Sequence, residues 1–214
     1  MFSGLVHEFG LVRFYANNIL CIESSLHPKI GDSIAVNGAC LTAIQTQKDS
    51  FCVELASNTA KTIATENLQG RVHIEPALRL SDGLHGHIMQ GHIDCVGVIS
   101  SISRQGNQCV FTIKVPQDSM KFMVAKGSVC VDGISLTINS VGADFFTLVI
   151  IPHTMQNTLF STYKVARRVN IESDIITRSV VSVLEKMLDS KGFKSKIMES
   201  NLSQELLDSI ALSY

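Results

Sequence analysis

Two stretches of this chain repeat each other: residues 38–43 read GACLTA and residues 133–138 read GISLTI. The match extends outward in one order. FSGLVHEFGLV at 2–12 falls on MQGHIDCVGVI at 89–99, with Gly4 over Gly91, Val6 over Ile93 and Gly10 over Gly97. DSIAVNGACLT at 32–42 falls on GSVCVDGISLT at 127–137. FCVELASNT at 51–59 falls on FTLVIIPHT at 146–154, and RVHIE at 71–75 on RVNIE at 168–172. Four collinear matches make the chain two copies of one module of roughly 90 residues, an ordinary domain size, followed by a tail. Whatever surface one copy offers, the other must offer in similar form.

Each copy reads as strand. IAVNGACLT and VCVDGISLT alternate around Asn37-Gly38 and Asp132-Gly133. Such pairs between alternating runs mark hairpins, because both central residues of a type I′ turn need φ > 0. FCVEL, FFTLVII, RVHIE and RVNIE add β-rich runs. Short strands at regular spacing point to a small barrel in each copy, so the expected fold class is all-β. Short helical turns are expected at 59–67 and 155–162. In the tail, Val180, Val181, Leu184, Met187 and Leu188 fall at helical spacing over 175–188. Asp174 or Thr177 could cap that helix. Residues 197–212 read either as a second short helix or as a loose end.

Charge and composition exclude several classes. The chain carries 18 Lys+Arg against 19 Asp+Glu, with no Trp and three Tyr. That leaves neither the positive groove nor the aromatic platforms a nucleic-acid binder needs. The N-terminus lacks the basic and small-residue features of a signal peptide, and FFTLVII is far too short to span a bilayer. The expected setting is the cytoplasm, with no membrane partner. Six cysteines, at 21, 40, 52, 95, 109 and 130, sit singly without a CxxC. Most of them read as small buried hydrophobes kept reduced, rather than as a disulfide framework. His85, His87 and His92 invite a zinc reading, but a fourth ligand and a helical context are missing, so no metal is expected.

The repeated phrase carries chemistry. Alternation puts Cys40 and Thr42 on one face with Leu41 opposite, and Ser135 and Thr137 on one face with Leu136 opposite. A merely solvated face has no reason to keep Thr at both equivalent positions. His92, after Gly91, is placed to move protons near neutral pH. Pro152-His153-Thr154 and Ser57-Asn58-Thr59 stand just past strand ends, where loops bind. Two similar modules related by an approximate two-fold axis should hold two copies of one small molecule. The Cys40/Ser135 divergence makes the halves unequal, as a reaction between two identical molecules requires.

MFSGLVHEFG, GDSIAVNGACLTA, GHIMQGHID, VDGISLT, IPHT and RVNIESD resemble, in order, the motifs of the two-barrel homotrimeric riboflavin synthase family. The resemblance spans residues 1–188. It implies two tandem homologous six-stranded Greek-key β-barrels followed by a C-terminal α-helix. Residues 1–87 would be an N-terminal lumazine-binding barrel, 88–174 a C-terminal one, and 175–214 an oligomerisation helix and tail. It implies dismutation of two 6,7-dimethyl-8-ribityllumazine molecules to riboflavin and 5-amino-6-(D-ribitylamino)uracil, the final step of riboflavin biosynthesis, without cofactor or metal. It also implies a homotrimer in which the N-terminal barrel of one subunit faces the C-terminal barrel of its neighbour. A non-catalytic lumazine- or flavin-binding antenna protein shares the fold and is the alternative. The presence of Cys40, Thr42, His92, Ser135 and Thr137 favours the enzyme.

By the same resemblance, one half-site comprises Gly4, Leu5, Val6, Ser33, Cys40, Leu41 and Thr42 with Glu54, Leu55, Ala56, Ser57, Asn58 and Thr59. The other comprises Gly91, His92, Ile93, Ser135, Leu136 and Thr137 with Ile150, Ile151, Pro152, His153, Thr154 and Met155. Lys126 is expected to reach the ligand from the neighbouring subunit. Asp174 follows the last strand, and Phe2 is expected to stack at the barrel mouth. His92, Ser135 and Thr137 are expected to move a proton in one half-site. Cys40 would act in the other as nucleophile or proton carrier, a thiol ionising far more readily than a hydroxyl. Ser3, His7 and His85 depart from the usual pattern, where Thr, an acidic residue and Gly are common, and the linker at 67–70 is short.

Overall fold

The computed structural model describes residues 1–189, so the expectation for 197–212 lies outside the described residues. In the first copy, strands β1 (Glu8–Ala16), β2 (Ile19–Glu23), β3 (Ser33–Val36), β4 (Ala39–Gln47), β5 (Ser50–Glu54) and β6 (Arg71–Pro76) close a barrel in the order β1-β2-β5-β4-β3-β6. In the second, β7 (Cys95–Gln105), β8 (Gln108–Lys114), β9 (Ser128–Val131), β10 (Ile134–Val141), β11 (Phe145–Ile150) and β12 (Arg168–Ser173) close in the same cyclic order. Helix α1 (Ser57–Thr62) and a 3₁₀ turn at Thr65–Asn67 cross from β5 to β6. α2 (Gln117–Met120) follows β8. α3 (Pro152–Asn157) and a 3₁₀ turn at Leu159–Thr162 repeat the first copy's crossing. α4 (Ile175–Asp189) forms the tail helix.

The hairpin signals fold as read. Val36 pairs with Ala39 and Val131 with Ile134 across two-residue turns. Asn37 and Gly38 have φ of 44° and 82°, and Asp132 and Gly133 have 46° and 87°. Beyond each turn, alternation sends Ile34, Val36, Leu41 and Val53 into one core and Val129, Val131, Ile138 and Leu148 into the other. Each such side chain stabilises the fold by about 1.5–3 kcal/mol.

The two turns also pack on each other. A Cβ on Gly38 would stand 2.6 Å from the Gly133 nitrogen, and one on Gly133 would stand 2.8 Å from the Gly38 nitrogen. This contact marks a pseudo-two-fold axis between the barrels, and a matched set of bonds surrounds it. The His73 N–H donates to Asn37 Oδ1, and the Asn170 N–H donates to Asp132 Oδ1. Across the axis, His73 Nδ1 meets the Asp132 carbonyl at 2.8 Å, and Asn170 Nδ2 donates to the Asn37 carbonyl at 2.9 Å. The Leu159 N–H donates to His73 Nε2 as the Ala64 N–H does to Asn170 Oδ1. An accepting Nε2 and a donating Nδ1 require neutral imidazole. Burial holds the His73 pKa down to about 4 and pushes Asp132, which accepts from Tyr163 Oη, up to about 6.

Two cysteines depart from the reduced reading. Cys21 and Cys52 are not free thiols; they form a disulfide. They are directly opposed partners on neighbouring β2 and β5, with Cα atoms 4.1 Å apart. Their separation of 31 residues gave no hint of it in the sequence. Cys40, Cys95, Cys109 and Cys130 are free.

Candidate active site

Two glycine-rich arms leave their own copies and cross to the opposite barrel. Phe2 and Met89 pair in an antiparallel bridge, Phe2 N–H to Met89 O at 2.8 Å and Met89 N–H to Phe2 O at 3.1 Å. Both side chains are fully buried with Ala35 and Cys130 between the barrels. Phe2 therefore stands in the inter-barrel core rather than exposed at a barrel mouth. Beyond the bridge, the Ser135 N–H donates to the Gly4 carbonyl at 2.9 Å, and the Cys40 N–H donates to the Gly91 carbonyl at 2.9 Å. Val6 packs on the second barrel's core and Ile93 on the first's. The arms thus meet the opposite strands from those that the sequence reading grouped with them. Gly4 and Val6 belong with Ser135, and Gly91 and Ile93 with Cys40.

The approach is too close for any side chain. A Cβ on Gly4 would lie 2.5 Å from Ser135 Cβ, and one on Gly91 would lie 2.5 Å from Cys40 Cβ. Both glycines also have left-handed backbone, φ 82° and 77°, which other residues adopt only with strain.

The faces follow the alternation. Leu41 is buried while Cys40 is half-buried and Thr42 exposed. Register lines Ser33, Thr42 and Glu54 in one row across β3, β4 and β5. Ser135 is half-buried and Thr137 exposed, with Leu136 packed on the second core. Leu55 and Ile150 point into the cores. Ala56, Ser57 and Asn58 are exposed at the start of α1, with Thr59 half-buried. Ile151 and His153 are exposed, and Pro152, Thr154 and Met155 half-buried, at the start of α3. Leu5 and Lys126 are exposed; the Lys126 N–H donates to the Ile138 carbonyl just beyond Thr137. Asp174 directly precedes α4.

The histidine at Ser135 is His87, not His92. His87 Nδ1 and Ser135 Oγ share a 2.7 Å hydrogen bond, whereas His92 is exposed beside the Cys40 loop. His87 is buried, and its Nε2 has no hydrogen-bond partner among the described residues. Burial lowers its pKa, and the nearby Asp174 carboxylate partly opposes that. Burial thus favours the neutral form of His87 beside the Ser135 hydroxyl. Its neighbour Gly86 lies over Ser135, where a Cβ would stand 2.8 Å from Oγ. The sequence flagged His87 only as part of a rejected zinc cluster; nothing in its spacing says that the linker folds over β10.

Two buried carboxylates were also missed. Glu75 Oε1 accepts from Ser3 N–H and Ser3 Oγ at 2.7 and 2.9 Å, and Oε2 from Gly4 N–H at 3.1 Å. Glu172 accepts from Gln90 and Gly91 N–H, both at 2.9 Å. The shared final Glu of RVHIE and RVNIE was their only signal. A cavity of about 620 Å³ elsewhere on the first barrel is lined by His7, His27, Asp32, Ser33, Arg79 and Asp82 among others. Of the expected ligand contacts it holds Ser33 alone. Among the described residues, no cluster of His, Cys, Asp and Glu could hold a metal.

Twin closed barrels that trade glycine loops, each setting one small polar residue under the other's arm, define a duplicated lumazine-binding architecture. The Lumazine binding domain family matches the chain twice, at residues 3–77 and 90–174. Within that class, the chain belongs to the riboflavin synthase family. It is 34% identical to riboflavin synthase of Bacillus subtilis (strain 168) over 200 residues, 89% of this chain and 93% of the relative. It is 33% identical to that of Photobacterium phosphoreum over 218 residues, 97% of each chain. The crystal structure of LumP complexed with riboflavin has the same fold, with a TM-score of 0.73 at 20% identity, covering 81% of this chain and 99% of that one.

Proposed function

We propose that this protein converts two molecules of 6,7-dimethyl-8-ribityllumazine into riboflavin and 5-amino-6-(D-ribitylamino)uracil. The observation that carries this is paired, unequal half-sites: Cys40 under Gly91 in one, Ser135 under Gly4 and bonded to His87 in the other. The lumazine C7 methyl is acidic because its carbanion delocalises into the ring. One molecule gives up that proton, with the neutral His87–Ser135 pair as acceptor. The other takes a nucleophile at C7, in the half-site where Cys40 and Thr42 share a face. The rings then join and a four-carbon unit moves between them. Holding both ligands in register is the main source of acceleration, an effect that can remove several kcal/mol of barrier.

In this reading three copies associate through α4, with the N-terminal barrel of one facing the C-terminal barrel of the next. Val180, Val183, Leu184 and Leu188 are exposed along that helix, as an association surface requires. Lys126 reaches the ligand from the adjacent copy, and the reaction runs in the cytoplasm.

The test is direct. Purified protein is mixed with 6,7-dimethyl-8-ribityllumazine alone, and riboflavin is followed by absorbance. Steady formation with no added cofactor is expected. Tight binding without product would replace this reading with the antenna protein.

A further inference from the structure

We infer that Glu75 and Glu172 are crossed positioning residues: the carboxylate of each barrel sets the half-site of the other. The inference rests on the half-sites proposed above. Glu172 stands on β12 of the second barrel, yet the loop it grips, through Gln90 and Gly91 N–H, ends on Cys40 of the first. Glu75 stands on β6 of the first barrel, and the loop it grips through Ser3 and Gly4 ends on Ser135 of the second.

The chemistry suits positioning. A buried carboxylate is tolerable only when hydrogen bonds replace its water, and bonds from backbone N–H to an ionised oxygen are among the strong ones. Glu75 and Glu172 are 8% and 1% exposed, and each spreads both oxygens over successive N–H groups of one turn. Those turns hold Gly4 and Gly91 at positive φ, hard against the polar pair. A loop fixed by two oxygens cannot rock about one bond. The carbonyl that meets Cys40 or Ser135 is then as fixed as the barrel strand carrying the glutamate.

A role confined to a glutamate's own barrel makes the opposite assignment, so the two can be separated without substrate. The full chain is treated with iodoacetamide, and Cys40 alkylation is timed by peptide mass spectrometry, with Cys109 as internal reference. Glu172→Gln should raise the Cys40 rate by about tenfold, the scale of losing bonds to a charged acceptor. Glu75→Gln, although in the same barrel as Cys40, should leave it within about twofold. In chains carrying Ser135→Cys, the introduced thiol should show the reverse dependence. Equal acceleration by both variants, acceleration by Glu75→Gln only, or none by either would overturn the inference. If Glu172→Gln does not fold, Glu172→Asp, which keeps the charge but draws it back from the Gln90 and Gly91 N–H groups, must accelerate Cys40 alkylation for the inference to stand. A chain that makes no riboflavin but shows the crossed pattern would lose the proposed reaction and keep this assignment.

Discussion

Gly38→Ala tests how tightly the two turns pack at the axis between the barrels. Two penalties combine there. Alanine at φ 82° sits in left-handed backbone, which disfavours any Cβ by about 1–2 kcal/mol. The new methyl would also stand 2.6 Å from the Gly133 nitrogen and 3.1 Å from its Cα. Both neighbours are backbone and cannot rotate away, so the barrels must part by several tenths of an ångström. Overpacking of this kind costs about 1–3 kcal/mol. Gly31→Ala is the control: its φ is 92°, and nothing lies within 4 Å of the added methyl. Urea unfolding at pH 7 should show Gly38→Ala destabilised by about 1–3 kcal/mol more than Gly31→Ala. Equal losses would mean that the turns do not bear on each other, and the pseudo-symmetric packing would be wrong.

Other outcomes follow from the same geometry. His73 is buried neutral with its pKa near 4, so the unfolded chain takes its proton first and stability falls as pH drops from 6.5 toward 4. Asp132, near 6 when folded, works the other way: the folded chain takes its proton first, and stability rises as pH falls through 6. The two nearly cancel between pH 7 and 5. Asp132→Asn, which copies the residue at the equivalent Asn37, should expose a loss of about 2 kcal/mol over that range in urea titrations; a flat profile would refute it. His87→Gln should lower kcat at least about a hundredfold, and in the parent enzyme the acid limb should fall below the ordinary histidine value; unchanged kcat removes the proton role. Cys40→Ser removes the sulfur while keeping a small polar group and should slow turnover at least about tenfold; unchanged turnover ends any special role for the thiol. Trapping of free thiols in the denatured, unreduced protein should label Cys40, Cys95, Cys109 and Cys130 but not Cys21 or Cys52 until a reductant is added; labelling of all six without reductant would show that the bond is absent.

Much of the fold was written openly. Asn37-Gly38 and Asp132-Gly133 force type I′ turns, alternation fixes which side of β4 and β10 carries Cys40 and Ser135, and the doubled motifs fix two equal barrels. What stayed hidden was every choice between equivalent partners. Alternation says which face a residue takes but not which barrel receives the arm at 2–6, and a copy-by-copy alignment groups Gly4 with Cys40 by default. His87 depends on where a linker lies, and Cys21–Cys52 on which strands become neighbours. None of these leaves a spacing to read.

The exchange of arms says something about ancestry. Cut after the first module, the peptide would keep an N-terminal strap that fits somewhere else and lack the strap that fits it. A forebear with only one such module could have closed both gaps by embracing its twin, each lending its leading segment to the other. Carrying both modules on one chain secures that embrace covalently and leaves sulfur and oxygen free to differ at matching places.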